Sequence, residues 1–333
     1  MAGDAKKIIG THNGKFHADE VLGCFLLKQL PEYKDAEIKR TRDQEELNKC
    51  DIVIDVGGVY DHSKRRYDHH QKSFEETLCS VNGGHGVIKL SSAGLVWAHY
   101  GELVLKAMVK QNLTEAEYQE IYHHMYRTFV VEIDAKDNGI EPADPPFRYQ
   151  INTDLSSRVS RLNMHGSTSF SEDIQFSKAV EMVGKEFTEV LEDSVTSWLP
   201  SKQFVAKAIE KRFSVDASGQ VIKFERGGIS WPLHLKALED EMDIHPKILF
   251  VLFPDANRGW RVQAVSSHGF ILRKQVLKEF MGLRDQELVA ASGIKSAIFV
   301  HSNGFIGGAE TYEDVLKMAQ DSLDKELDPT KLL

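Results

Sequence analysis

Cysteine is scarce in this 333-residue chain: Cys24, Cys50 and Cys79 are an odd number with no CxxC spacing. Three such thiols build neither a disulfide framework nor a zinc ribbon, and they suit a reducing compartment. Long hydrophobic runs are missing as well. The longest apolar stretches, such as 248–253, are strand-sized, well short of the roughly 18 residues that a membrane helix needs. The N-terminal MAGDAKKIIGTHN lacks arginine and carries Asp4, unlike a transit peptide. There is no internal repeat and no low-complexity segment. A positive balance is also absent, because 41 Lys and Arg face 50 Asp and Glu, a net charge of −9. Proteins that hold nucleic acid by electrostatics alone carry a basic face, so that class is disfavoured. A substrate with many phosphates would need positive charge from another source.

What is present is a globular composition, 41% hydrophobic and 27% charged, long enough for about two domains. Residues 7–11 (KIIGT) read as a strand, and 18–30 as a helix with an apolar face at Val21, Leu22, Phe25 and Leu26, ended by Pro31. A second strand at 36–41 and a polar helix at 42–48 lead to DIVIDV (51–56), the pattern of a strand covered on both faces and broken by Gly57 and Gly58. That alternation predicts a parallel sheet with right-handed crossovers. Ser91 and Ser92 suit the N-cap of the next helix, Thr114 and Glu117 form a capping box, and EPADPP (141–146) is a break. Residues 171–213 read as a helical bridge interrupted at Pro200, and 214–333 as a second, smaller α/β domain after a first domain over 1–170.

Histidine is the compositional oddity: fourteen in all, ten of them before residue 166. GTHNGKFHADE places His12, His17 and Asp19 directly after the first strand, at the carboxyl edge where open parallel sheets bind ligands. Asp55 ends an apolar strand, either as a metal ligand or as an ordinary turn aspartate. Asp68, His69 and His70 follow the basic run KRRY, which suits a loop facing phosphates. Asp134 ends an apolar helical stretch; Asp137 and Asn138 read as turn residues. Mixed His and Asp ligands without cysteine favour manganese, magnesium or iron over structural zinc. Two such ions, about 3.5–4 Å apart, could clamp the attacking hydroxide and leaving oxygen of a phosphoester. No GxSxG elbow competes with this reading.

YDHH after an apolar-strand aspartate resembles the DHH phosphoesterase superfamily. GTHNGKFHADEVLGCFLL, VIDVGG, YDHHQ, LSSAGLVW, EIDAKDNGI, LSSRVSRLN and FVHSNGFIGGAE together resemble the melanocyte proliferating gene 1 family over nearly the whole chain. The resemblance implies a DHH-type domain flanked by helices, a smaller C-terminal α/β domain and an active site in the cleft between them. It also implies a metal-dependent 3′–5′ RNA exonuclease of mitochondrion and nucleus. Carried over by position, His12, His17 and Asp55 would hold one ion. Asp19, Asp55, His69 and Asp134 would hold the second, with Asp55 bridging. His70 would face the scissile phosphate and Asp68 would orient the histidines. At His17 the superfamily usually has an aspartate, so this site is less negative.

The C-terminal half resembles a substrate-binding domain. Gly307 and Gly308 would let backbone approach a phosphate, unless they form a strand-to-helix turn. His301 precedes them. Arg258 and Arg261 could add charge around Trp260, itself read as a core residue. Arg158 and Arg161, three apart, face either the cleft or surface carboxylates. His123 and His124 are given no role, and His85 sits in a loop over the site. The expected partner is RNA or single-stranded nucleic acid, with no membrane. Two other functions fit the ligands: a small-molecule phosphoesterase for pyrophosphate, dinucleotides or short oligonucleotides, and a non-catalytic metal-binding adaptor.

Overall fold

The structure, a computed structural model, describes residues 6–163, 171–256 and 259–324. Arg258 lies outside the described residues. Two compact units divide the chain, 1–199 and 200–333; the division falls inside the segment expected as a helical bridge. Among the described residues, no helix is long and apolar enough to cross a membrane.

The first unit opens with β1 (Ile8–Thr11), α1 (Ala18–Gln29), β2 (Glu37–Arg40), the single turn α2 (Gln44–Leu47) and β3 (Ile52–Ile54). The short hairpin strands β4 (Tyr60–Asp61) and β5 (Arg66–Tyr67) follow. The sheet order is β2-β1-β3-β5-β4. β1 runs parallel to β2 and β3, β3 parallel to β5, and only β4 is antiparallel. The parallel sheet is the one expected from the alternating pattern. β3 shows why its run is continuously apolar: Ile52 and Ile54 enter the main core, while Val53 packs with Leu47, Cys50 and Val56 on the other face.

Helices cover the main-core face. They are α3 (Leu78–Asn82), α4 (Ser92–Met108), α5 (Glu115–Met125), α6 (Val131–Asp137), α7 (Leu155–Leu162) and α8 (Glu172–Asp193). A π turn at Tyr126–Val130 joins α5 to α6. Ser91 caps α4, and Thr114 with Glu117 forms the capping box of α5. Gly184 lets α8 approach α1, because a Cβ there would lie 2.4 Å from the Phe25 ring.

The second unit holds α9 (Leu199–Glu210), α10 (Arg212–Val215), β6 (Val221–Lys223), α11 (Pro232–Glu241), β7 (Phe250–Pro254) and β8 (Trp260–Ala264). The small pair β9 (Ser266–His268) and β10 (Ile271–Leu272) comes next, then α12 (Asp285–Ser292), β11 (Ala297–Val300), β12 (Ile306–Ala309) and α13 (Tyr312–Asp324). Its main sheet, β11-β12-β8-β7-β6, is antiparallel except at β6–β7. Alternation along β7 feeds two cores: Phe250 and Leu252 pack with Val315 and Met318, and Val251 with Val205, Ile209 and Leu235. Pro200 does not interrupt the helical segment as expected. It is the second residue of α9, and the helix runs on through it directly after a π turn at Ser194–Trp198, where the altered hydrogen-bond spacing tolerates a residue without an N–H.

Candidate metal centre

Because β1, β3 and β5 are neighbouring parallel strands, their carboxyl ends emerge side by side. His12 follows β1, Asp55 follows β3, and Asp68–His70 follow β5. Asp55 adopts the left-handed region, φ 56°, which a short polar side chain tolerates. Gly57 and Gly58, at φ 99° and 69°, complete the reversal that only glycine makes easily. The Gly58 N–H then donates to Asp68 Oδ2 at 2.6 Å, tying the β3 loop to the β5 loop.

Asp55 stands at the centre. Its Oδ2 lies 3.3 Å from His12 Nε2, and its Oδ1 lies 3.5 Å from His69 Nε2 and 3.4 Å from His70 Nδ1. His12 Nε2 is also 3.0 Å from Glu20 Oε1, while its Nδ1 contacts the Asn13 carbonyl at 3.0 Å. That contact suits an Nδ1–H tautomer and turns Nε2 toward the carboxylates. His69 Nε2 lies 2.9 Å from Asp137 Oδ2 and 3.9 Å from Asp19 Oδ2. Ligand atoms close enough to share an ion fall into three overlapping groups: His12, His17, Glu20 and Asp55; Asp55, His69 and His70; and Asp19, His69 and Asp137. Asp55 Oδ1 and both ring nitrogens of His69 are buried without a well-aligned hydrogen bond, the condition of atoms arranged for a cation. The residues therefore fit divalent metal.

Electrostatics agree. Burial, then the charges of Asp55 and Asp137, push the Asp19 carboxyl well up. Burial works against charge on His12 and His69, yet the carboxylates outweigh it. Asp55 and Glu20 hold His12 up to about 10, and Asp137 and Asp55 hold His69 up to about 11. Asp55 itself is drawn down by His12 and His69 despite its burial. A packed group of carboxylates demands positive charge, and a divalent cation meets that demand.

Neighbouring groups hold the ligands. Asp19 accepts from the Ser92 and Ala93 N–H groups at the start of α4, at 3.1 and 2.5 Å. Asp68 accepts from the His70 N–H at 3.0 Å and lies 2.7 Å from His70 Nδ1, fixing a ring whose side chain is 62% exposed. His17 is the exposed N-cap of α1. The ligand loop is clamped by Asn163, which accepts from Phe16 N–H and donates to the Phe16 carbonyl, and by Arg40, which donates to Gly14 O.

Several residues occupy places the sequence did not suggest. Asp134 stands outside the three ligand groups: its Oδ1 accepts from Ser91 N–H and Oγ–H at 2.9 and 2.8 Å, and burial raises its carboxyl to about 7. Asp137, read as a turn residue, ends α6 instead and reaches His69. Glu20, unremarked in HADE, reaches both His12 and the His17 N–H. The basic run before YDHH is committed elsewhere, at the start of β5: Lys64 pairs with Asp61, Arg65 with Glu32, and Arg66 donates to the Cys50 carbonyl. On α7 the serines 156, 157 and 160 line the cavity, whereas Arg158 pairs with Glu186 and Arg161 donates to Asn152 O.

In the second unit, Gly307 and Gly308 lie within β12 rather than in a turn. A Cβ on Gly308 would meet Arg261 Nη1 and the Phe299 ring, both at 2.8 Å, so the bare strand makes room for an arginine on an aromatic. Arg261 also pairs with Asp255. His301 is exposed beside Asn303 and Phe305. Trp260 is half-buried against Tyr312.

An α/β unit whose strand ends gather imidazoles and carboxylates around one shared aspartate belongs to the class of metal-dependent hydrolases. A family model with the short name MYG1_exonuc, described as an uncharacterised protein family (UPF0160), matches residues 8–323. The MYG1 exonuclease of Bos taurus is 45% identical over 97% of this chain and 86% of its own length. That of Homo sapiens is 44% identical over 95% and 85%. A MYG1 protein of Caenorhabditis elegans is 43% identical over 95% of both chains. The chain belongs to the MYG1 exonuclease family, and is thereby a hydrolytic enzyme of the nuclease or phosphodiesterase class.

Proposed function

We propose that this chain is a metal-dependent exonuclease with a DHH-type first unit. It hydrolyses single-stranded nucleic acid, RNA foremost, in the 3′–5′ direction, using two divalent ions, Mn2+ or Mg2+. The observation that carries this reading is Asp55, whose one oxygen addresses His12 while the other addresses His69 and His70. A carboxylate with two such faces suits a bridge between two ions. His12, His17, Glu20 and Asp55 would hold one, and Asp19, Asp55, His69 and Asp137 the other. When bound, the ions supply a hydroxide-like nucleophile at neutral pH and neutralise charge on the phosphoryl oxygens. The protein's own part is positional. Asp68 fixes His70 at the cavity, where its exposed ring can orient the scissile phosphate.

The test compares end-labelled single-stranded RNA and DNA with metal-stripped protein, with Mn2+ or Mg2+ restored, and with Asp55→Asn. Stepwise release of mononucleotides, faster from RNA, dependent on metal and lost in the variant, is expected. Full activity of Asp55→Asn, or turnover of pyrophosphate but never of strands, overturns the reading. Mitochondrial and nuclear location forms part of the same proposal and is checked by imaging the tagged full-length protein.

A further inference from the structure

The cavity lined by His12, His17, Asp19, Asp55, His70 and Asp137, about 580 Å³ in volume, has a chemically different wall. Besides imidazoles and carboxylates it is lined by Arg42, Lys136 and the serines 156, 157 and 160. Arg42 lies two residues beyond β2, Lys136 is in the last turn of α6, and the serines form one face of α7.

Both cations are exposed, and neither makes an ion pair with a described carboxylate; Glu132 lies one turn back from Lys136 without pairing with it. Three other arginines are spoken for: Arg40 pairs with Asp173, Arg158 with Glu186 and Arg261 with Asp255. Arg42 and Lys136 therefore share a cavity with Asp19, Asp55, Asp68 and Asp137 yet stay apart from all four. Two divalent ions would cancel those four charges. The cavity would then be left with the two cations and a row of hydroxyl donors, which is the chemistry that grips phosphate oxygens.

We propose that Arg42, Lys136 and the serine face of α7 bind the phosphates flanking the scissile one. The site thereby selects a strand with consecutive phosphodiesters over a compound with a single phosphate linkage. This rests on the nuclease reading. It also places the phosphate-binding charge of an acidic protein on two side chains rather than on a basic face. The guanidinium can take one phosphate bidentately, while the ammonium acts as a point charge on another.

The experiment measures anisotropy of a labelled single-stranded oligoribonucleotide, with Ca2+ in place of Mn2+ and across a salt range. Wild type, Arg42→Ala, Lys136→Ala and Arg42→Lys are compared, with thermal melts to confirm folding and Arg42→Gln as a second variant. Each alanine should weaken binding about tenfold, the worth of a charge-assisted hydrogen bond. Each should also make the log–log salt slope shallower by about 0.7, one phosphate contact on a single strand. Arg42→Lys should keep most of the slope. With Mn2+, KM for the strand should rise more than kcat falls, and the penalty should shrink on a dinucleotide. Unchanged affinity, slope and KM in both alanine variants overturns the proposal while a cleaving wild type upholds the nuclease reading. A wild type that binds with full slope but never cleaves removes that reading and leaves the grip; one that neither binds nor cleaves removes both.

Discussion

Gly94 offers a sharp test of how the second layer supports the centre. A Cβ added there would lie 2.2 Å from Asp134 Oδ1 and 2.6 Å from Oδ2, far inside contact distance, in a place where Asp134 is fully buried. Gly94→Ala must displace that carboxyl group, and with it both hydrogen bonds from Ser91. Overpacking costs about 1–3 kcal/mol, and two hydrogen bonds about 1 kcal/mol each, so the loss should be about 3–5 kcal/mol. In a unit of this size that lowers Tm by roughly 6–20 °C. The damage should spread, because Ser91 caps α4 and the next two N–H groups hold Asp19. Calorimetry should therefore show weaker Mn2+ binding together with the lower Tm. Asp134→Ala alone should also destabilise, but adding it to Gly94→Ala should cost far less than the sum, since the collision is gone. A Gly94→Ala protein melting within about 2 °C of wild type, or a double-mutant cycle additive within about 0.5 kcal/mol, would refute the argument.

Three further outcomes are expected. Asp68→Asn keeps one acceptor oxygen and turns the other into an NH2 donor, so it cannot accept from both Gly58 and His70; it should lower activity or Mn2+ affinity about 10–100-fold, measured by titration calorimetry and strand hydrolysis. His99 is lowered to about 4 by burial and then by its neighbour His62, so the fold favours the neutral ring. No penalty exists above pH 6.5; stability falls as pH drops from 6.5 toward 4, because only the unfolded chain gains the proton, and levels below 4. Allowing for partial exposure the effect is about 2 kcal/mol, read as the excess loss of wild type over His99→Gln between pH 7 and 4.5 in urea titrations. In the second unit, Arg273 makes two 2.7 Å bonds to Glu239, whose side chain is 1% exposed. Arg273→Met should cost about 3–5 kcal/mol by stranding that carboxylate, and Arg273→Met with Glu239→Gln should recover much of it in denaturant unfolding of the whole chain.

His12, Asp55 and His69 were legible because each follows an apolar strand, and the carboxyl edge of a parallel sheet is where such residues converge. Asp137 was not. It sits one helical turn beyond Asp134, and from spacing alone either residue could face the centre; both Ser91 donors meet Asp134 Oδ1, while Asp137 reaches His69. Glu20 looked like an ordinary first-turn acid, and it does cap α1 as well as touch His12. Arg158 and Arg161, three apart, left the cleft and surface carboxylates both open, but α7 turns serines to the cavity while its arginines meet Glu186 and the Asn152 carbonyl. Gly307 and Gly308 suggested a backbone open to phosphate, or else a strand-to-helix turn, and they form a strand instead. A side chain crossing a strand, as Arg261 does at Gly308, leaves no local signal.

From the sequence alone follow the alternating elements of the first unit, the parallel sheet, the caps of α4 and α5, and the supply of imidazoles and carboxylates. These depend on periodicity and on chemistry within a few residues. Tertiary structure alone decided which carboxylates face one another, which helix face meets the cavity, and which cations stay unpaired. Those outcomes depend on contacts between segments distant in the chain: Asp19 with the start of α4, Asp137 with His69, and Asn163 with Phe16. The overall negative charge belongs to the first kind of knowledge. Its meaning belongs to the second, because burial gathers part of it into one cluster that a pair of divalent ions would neutralise.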